Sequence, residues 1–286
     1  MTPILFDLAP KSIITELYDF EDELRKLRRG FESGRIILIL GMRRTGKSSL
    51  LRCFLNESNT PHIMIDTRRI ITSEGRINLR DFMMELGRSL SLLLNREAGI
   101  RSRTLELFRN MSGIEVNMDR LSINLSWRRG SRVDIALILD KINQVAEENG
   151  LRTALAIDKA QELRDLPLNF PAILAYVYNN LKNIVTILTG SQIELLYDLL
   201  KIEDPNSPLY GRLLYEIKLR RLSLEEAIGF LNRGFREVRM NVDESLIRKA
   251  VETLNGIIGW LTYFGWSLYQ GENSIEKFLI RLHYRK

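Results

Sequence analysis

Residues 36 to 48 read Ile-Ile-Leu-Ile-Leu-Gly-Met-Arg-Arg-Thr-Gly-Lys-Ser. The run Ile36 to Leu40 is apolar on both faces of an extended chain, which suits a strand buried in a parallel sheet. The eight residues after it, Gly41, Met42, Arg43, Arg44, Thr45, Gly46, Lys47 and Ser48, fit G-x-x-x-x-G-K-[ST] without departure. A helical pattern then runs from about Lys47 to Asn56. The spacing has a physical cause: the glycines permit backbone angles other residues resist, so successive amides can converge on phosphate oxygens. The helix that follows adds its unpaired N–H groups and its dipole. In that pattern Lys47 reaches the β- and γ-phosphates of ATP, and the Ser48 hydroxyl ligates Mg²⁺.

Such a loop needs a second contact to the metal from a carboxylate at a strand end. Asp158, closing Leu155-Ala156-Ile157, is the favoured candidate, and Asp66, closing Ile63-Met64-Ile65, is its rival. An acid at the second position can instead contact a phosphate acceptor, which leaves a phosphotransferase reading open.

Outward from the loop, the pattern alternates helix and strand to about residue 220, the signature of a parallel sheet covered on both faces. Strands are expected at 62–66, 154–157, 185–189 and 215–219. Leu121, Ile123, Leu125 and Trp127 alternate with polar residues and pair with 114–116 as a β-hairpin insertion near 114–127. Beyond 220 the strands stop. Ser223 and Glu226 form a capping box, Asp243 opens another helix, and 260–269 and the tail from Ser274 are helical in pattern. The expected fold class is α/β, with a nucleotide-binding core over 1–220 and a small all-helical domain over 221–286.

Composition bounds the function. The chain has 286 residues, 45% hydrophobic and 27% charged, ordinary for a soluble globular protein, and its apolar runs are too short to span a bilayer. The N-terminus lacks the basic lead of a signal peptide, so the expected location is cytoplasmic, with no membrane partner. Cys53 is the single cysteine and sits among leucines and Phe54, the surroundings of a buried thiol. His62 and His283 lie far from any Cys or acidic cluster, which gives a zinc site no support. The net charge is +6, with basic groups at 25–29, 101–109 and 128–132. These are read as a solvated arginine-rich surface in preference to a nucleic-acid contact. The rings of Trp260, Tyr263, Phe264, Trp266 and Tyr269 are read first as helical core.

Five segments occur in order: Gly-Met-Arg-Arg-Thr-Gly-Lys-Ser-Ser-Leu at 41–50, Asp-Lys-Ala-Gln-Glu-Leu at 158–163, Thr-Gly-Ser at 189–191, Ser-Pro-Leu-Tyr-Gly-Arg at 207–212 and Gly-Trp-Leu-Thr-Tyr-Phe-Gly at 259–265. Together they resemble the archaeal AAA+-like ATPase family, relatives of the signal-transducing ATPases with numerous domains. The resemblance implies a five-stranded parallel core, with another strand between the loop strand and the Asp158 strand, and a helical lid over the nucleotide. It places Ser49 with the loop in cofactor binding, and Thr189 or Ser191 at a polar position that senses the γ-phosphate. Arg212 falls where such proteins carry a catalytic or nucleotide-sensing arginine, acting within its subunit or on a neighbour in an oligomer. Its other reading is a surface arginine at a helix end.

Two departures stand out. The family pattern has Glu directly after the strand-end Asp, to polarise the attacking water, and this chain has Lys159. A lysine ammonium has no lone pair with which to take up that proton. Glu162 follows within a turn, but the family pattern gives it no access to the water. The family also carries Pro before the Gly-Trp pair, where this chain has Ile258. Relatives commonly continue into a winged-helix domain, for which 272–286 is too short. The expected function is an Mg·ATP-binding switch with slow hydrolysis, ATP and ADP as ligands and an unidentified protein partner. A nucleic-acid-associated motor and a phosphotransferase using Asp66 are the alternatives.

Overall fold

Strands apolar along their whole length can be covered only from both sides, and the sheet shows where that happens. The computed structural model describes residues 4–72, 75–109, 111–117, 120–126 and 134–271. Five strands, β1 (Ile36–Leu40), β2 (His62–Asp66), β5 (Thr153–Asp158), β6 (Ile184–Gly190) and β7 (Tyr215–Lys218), form one sheet in the order β2-β5-β6-β1-β7. Every residue of β1, β5 and β6, the three inner strands, is buried. The edge strands β2 and β7 carry half-buried or exposed positions. The sheet is parallel, and β6 stands between β1 and β5, as the resemblance implies.

A separate antiparallel pair, β3 (Ile114–Asn117) with β4 (Ser122–Leu125), occupies the alternating stretch. Its inward residues Ile114, Ile123 and Leu125 are buried. Helix α3 (Leu79–Arg96) lets the pair approach through Gly87, where a Cβ would stand 2.7 Å from the Ile123 carbonyl oxygen. Trp127, the arginines of 128–132 and the tail from Ser274 lie outside the described residues.

Contacts divide the chain into two compact units. One comprises Lys26–Leu40 and Ser58–Ile217, and the other Met1–Arg25, Gly41–Glu57 and Lys218–Lys286. The first is built on the sheet, whose inner residues join those of α3, α4 (Ala98–Arg109), α5 (Ile135–Glu148), α6 (Phe170–Asn180) and α7 (Ile193–Leu200) in one hydrophobic core. The second unit has its own core, from α8 (Leu224–Glu237), α9 (Glu244–Leu254) and α10 (Ile258–Tyr269). Ser223 and Glu226 close the capping box on α8, and Asp243 caps α9.

The N-terminal segment belongs to that second core. Phe6 has no exposed surface and meets Phe230 and Phe235 edge-on, at ring distances of 6.1 and 5.0 Å. Among the described residues, no helix is long and apolar enough to cross a membrane.

Truncating Phe6 to alanine should therefore cost about 3–5 kcal/mol, the range for a large buried ring. Urea denaturation followed by tryptophan fluorescence tests it, since Trp260 and Trp266 pack against the same core. A shift below about 1 kcal/mol would show that the segment is not part of that core.

Candidate functional site

The phosphate loop directly follows β1 and leads into α2 (Lys47–Glu57). Gly46 has φ +90°, and a Cβ there would stand 2.5 Å from the Phe20 ring, so both conformation and space call for glycine. Arg44 holds φ +66° without being glycine, and it turns the chain between the two loop glycines. The Thr45 hydroxyl donates to the Met42 carbonyl at 2.8 Å. The Lys47 ammonium, 7% exposed as a residue, donates to the carbonyls of Gly41 and Met42 at 2.6 and 2.5 Å. The loop thus keeps its cation buried inside its own turn. Ser49 accepts from the Lys11 amide at 3.1 Å, which ties the N-terminal segment to α2.

Arg44 reaches α10. Its guanidinium lies 3.7 Å from the centre of the Trp260 ring, while its carbonyl accepts the Gly259 amide at 2.9 Å. The approach is so close that a Cβ on Gly259 would stand 2.7 Å from the Arg44 Cβ. Of the aromatic group, Tyr263 and Phe264 are buried as core, whereas half-buried Trp260 receives the arginine. Beside Thr45, a recess no larger than about one water is lined by Phe20, Leu219, Leu222 and Ile258 with Asp19, Glu23 and Arg220, whose Nη2 donates to Asp19 Oδ2 at 2.8 Å.

The sheet-based unit carries the carboxylates. Register places Asp66 of β2 opposite Asp158 of β5, and Ile157 opposite Leu188, so Thr189 comes next to Asp158. Asp158 has no exposed surface. Its Oδ1 accepts from the Thr189 hydroxyl at 2.6 Å and its Oδ2 from Arg68 Nη2 at 3.0 Å. Arg68 also grips Asp66, Nε to Oδ1 at 2.8 Å and Nη2 to Oδ2 at 2.6 Å. The bond to Asp66 holds the guanidinium pKa above its ordinary value, with the Asp158 charge adding to it.

Lys159 follows in the left-handed region at φ +60°, and its amide donates to Thr189 Oγ1 at 2.9 Å. Its side chain and that of Glu162 are half-buried. Gln161, 2% exposed, donates to Ser191 and to Glu162 at 3.3 Å. Of the two sensing candidates it is therefore Thr189 that touches Asp158. Arg212 folds onto the end of α6: its Nε donates to the Pro208 carbonyl at 2.7 Å, and its guanidinium also meets Asn179 and the Tyr178 ring.

Sequence reasoning missed Arg68 and the Arg44–Trp260 contact. The only signal for the first was an arginine two residues after a strand-end acid. The second had no local signal, because its partners lie more than 200 positions apart. Cys53 is buried, and burial pushes its thiol up to about 11, so it is no nucleophile.

These features fit a magnesium nucleotide. The loop is shaped by glycines where a Cβ would collide, and its lysine is already inside the turn. The strand-end acid and Ser48 are hard oxygen donors of the kind Mg²⁺ takes.

Over residues 17–264 the chain matches the family described as an ATPase domain predominantly from Archaea. Among solved structures it is similar to a Walker-type ATPase of Pyrococcus abyssi, at 35% identity and a TM-score of 0.73, over 99% of this chain and 80% of that one. It shares its fold with Cdc6p of Pyrobaculum aerophilum, at 15% identity and 0.55, covering 92% of this chain and 63% of that one. The ORC2 protein of Aeropyrum pernix, solved as ADPNP–ADP complexes, is similar at 14% identity and 0.52, over 95% and 68% of the two chains. No curated protein matches.

Replacing Thr189 by valine keeps the shape but removes the donor to Asp158 and the acceptor of the Lys159 amide. Stability should fall by about 1.5–3 kcal/mol in urea denaturation, the range for a hydrogen bond to a charged group, and Thr189→Ser should retain most of it. Equal stability of all three forms would mean that the hydroxyl does not hold the carboxylate.

Proposed function

Since this chain belongs to the family of ATPase domains found predominantly in Archaea, we propose that it binds Mg·ATP as a nucleotide-dependent switch and hydrolyses it slowly. The observation that carries the switch is the double tie from the phosphate loop to α10, through the Arg44 guanidinium on Trp260 and the Gly259 amide on the Arg44 carbonyl. A residue flanked by phosphate-binding positions cannot adjust to a phosphate without moving those partners. Nucleotide state is thereby passed from the loop to the helices α8–α10, whose arrangement a protein partner would read.

Each residue has a role in this reading. Backbone amides of Gly41 to Ser49 cradle the phosphates, and Lys47 neutralises their charge. Ser48 and Asp158 are the residues that would hold Mg²⁺, which supplies charge neutralisation at the transferring phosphoryl group. Thr189 keeps the Asp158 carboxylate oriented, and Ser191 stands one residue beyond the strand, bonded to Gln161. Ile258, which takes the place of the family's proline, lines the same small recess as Thr45 of the loop. Arg212 would have to leave Pro208 and Asn179 to serve a phosphate, in its own subunit or a neighbour's.

Lys159 stands where the family has its water-polarising glutamate. General-base assistance is worth about 10²–10⁴-fold, so its loss makes turnover slow. The alternatives draw less support. Asp66, the acid a phosphotransferase would need, has both oxygens committed to Arg68. Arg103 is ion-paired with Glu106 and Glu148, which leaves less charge for nucleic acid in that patch.

Mg·ATP binding and single-turnover hydrolysis, measured side by side in the natural chain and in Lys159→Glu, test the proposal. Binding with little turnover is expected in the natural chain, and a gain of about 10²–10⁴-fold in the variant. Natural turnover above about 1 s⁻¹, within the ordinary enzyme range, would overturn the impaired-site reading.

A further inference from the structure

Two buried carboxylates face each other across adjacent strands, Asp66 at 8% exposure and Asp158 at none. Like charges so placed repel unless a cation stands between them. Arg68 supplies one from inside the chain. Its fork takes both oxygens of Asp66, at 2.8 and 2.6 Å, and the same Nη2 extends to Asp158 Oδ2 at 3.0 Å. The grip is unequal: the Asp66 pair is bidentate and shorter, while Asp158 receives one longer bond. The Arg68 side chain is also 36% exposed, so it can withdraw toward solvent without leaving Asp66.

The reading above gives Asp158 to Mg²⁺, and an arginine and a divalent cation drawn to the same oxygen repel each other. Resting on the Mg·ATP reading above, we propose that Arg68 is a resident counter-ion that competes with Mg²⁺ for Asp158. It holds the carboxylate when the metal is absent and retires onto Asp66 when the metal is held. Asp66 is then the anchor that makes this retreat cheap, a role distinct from acceptor chemistry. The consequence is a Mg²⁺ requirement set by the chain itself: nucleotide binding responds to free Mg²⁺ at a higher concentration than an unguarded Asp158 would need.

The test is the affinity of the full chain for a fluorescent ATP analogue, titrated with Mg²⁺ to give a midpoint, in Arg68→Gln, Asp66→Asn and the double variant. Arg68→Gln should lower the midpoint by roughly three- to tenfold, the scale of one partly exposed charge-assisted bond. Asp66→Asn, which releases the arginine wholly onto Asp158, should raise it by a similar factor. The third arm separates competition from charge alone: in the Arg68→Gln background, Asp66→Asn should lose its effect, because the arginine through which it acts is gone. Arg68→Lys keeps the charge without the fork that spans two acids. It should also lower the midpoint, and it serves where Arg68→Gln does not fold. A natural chain whose nucleotide affinity ignores Mg²⁺ would remove the metal reading and this inference together. A natural chain that responds, with midpoints unmoved, moved in one direction by both single variants, or strictly additive in the double, would overturn this inference alone.

Discussion

A carboxylate with no exposed surface has to be compensated where it stands, because a buried unpaired charge costs several kcal/mol. Asp158 is such a group, and much of the sheet-based unit can be understood from it. Parallel register at the end of β5 brings Thr189 to one oxygen, and the segment after β2 returns Arg68 to the other. Thr67 adds a hydroxyl to the Asp158 carbonyl at 3.0 Å. Lys159 must turn into the left-handed region directly afterwards, which aims its amide at Thr189. Thr189 thus holds both the acid and the residue beside it, and its placement depends on β6 lying next to β5.

The other unit solves a different problem. A loop meant to receive anions needs converging amides and a cation that does not collapse them. Glycines set the turn, Phe20 closes one side of Gly46, and Lys47 is kept by the carbonyls of Gly41 and Met42. Leu219 approaches Gly41 and Gly259 approaches Arg44, so the segments after β7 and at the start of α10 both abut the loop. The N-terminal Phe6 and Tyr18 complete the core of the same unit. Local shape at the loop and the packing of α8–α10 are therefore not separable properties.

How much of this the sequence disclosed follows from how local each cause is. The apolar run of β1, the glycine spacing, the capping box at Ser223 and the alternation of 121–125 are read within a few residues, and each names its element. That Asp158 closes a strand was legible because a strand end is local. That Thr189, rather than Ser191, would meet it depends on register between β5 and β6, which no single segment encodes. Arg68 escaped for the same reason: its value lies in two acids facing across strands. The tie between Arg44 and Trp260 joins residues from opposite ends of the chain, and neither side chain shows its partner in its neighbours. Membership of Phe6 in the helical core was equally non-local.

On the proposed switch reading, the phosphate loop and α10 respond to nucleotide as one. The Gly259 amide is the most direct reporter, since it donates to the Arg44 carbonyl of the loop at 2.9 Å. Residue-resolved hydrogen exchange of that amide, in the nucleotide-free chain and with Mg·ATP or Mg·ADP, reads the coupling without relying on turnover. Its exchange rate should change by about tenfold or more on adding Mg·ATP, roughly 1.4 kcal/mol in opening free energy, and settle at a different value with Mg·ADP. Exchange at Gly259 that stays the same in all three states, while nucleotide demonstrably binds, would contradict that reading.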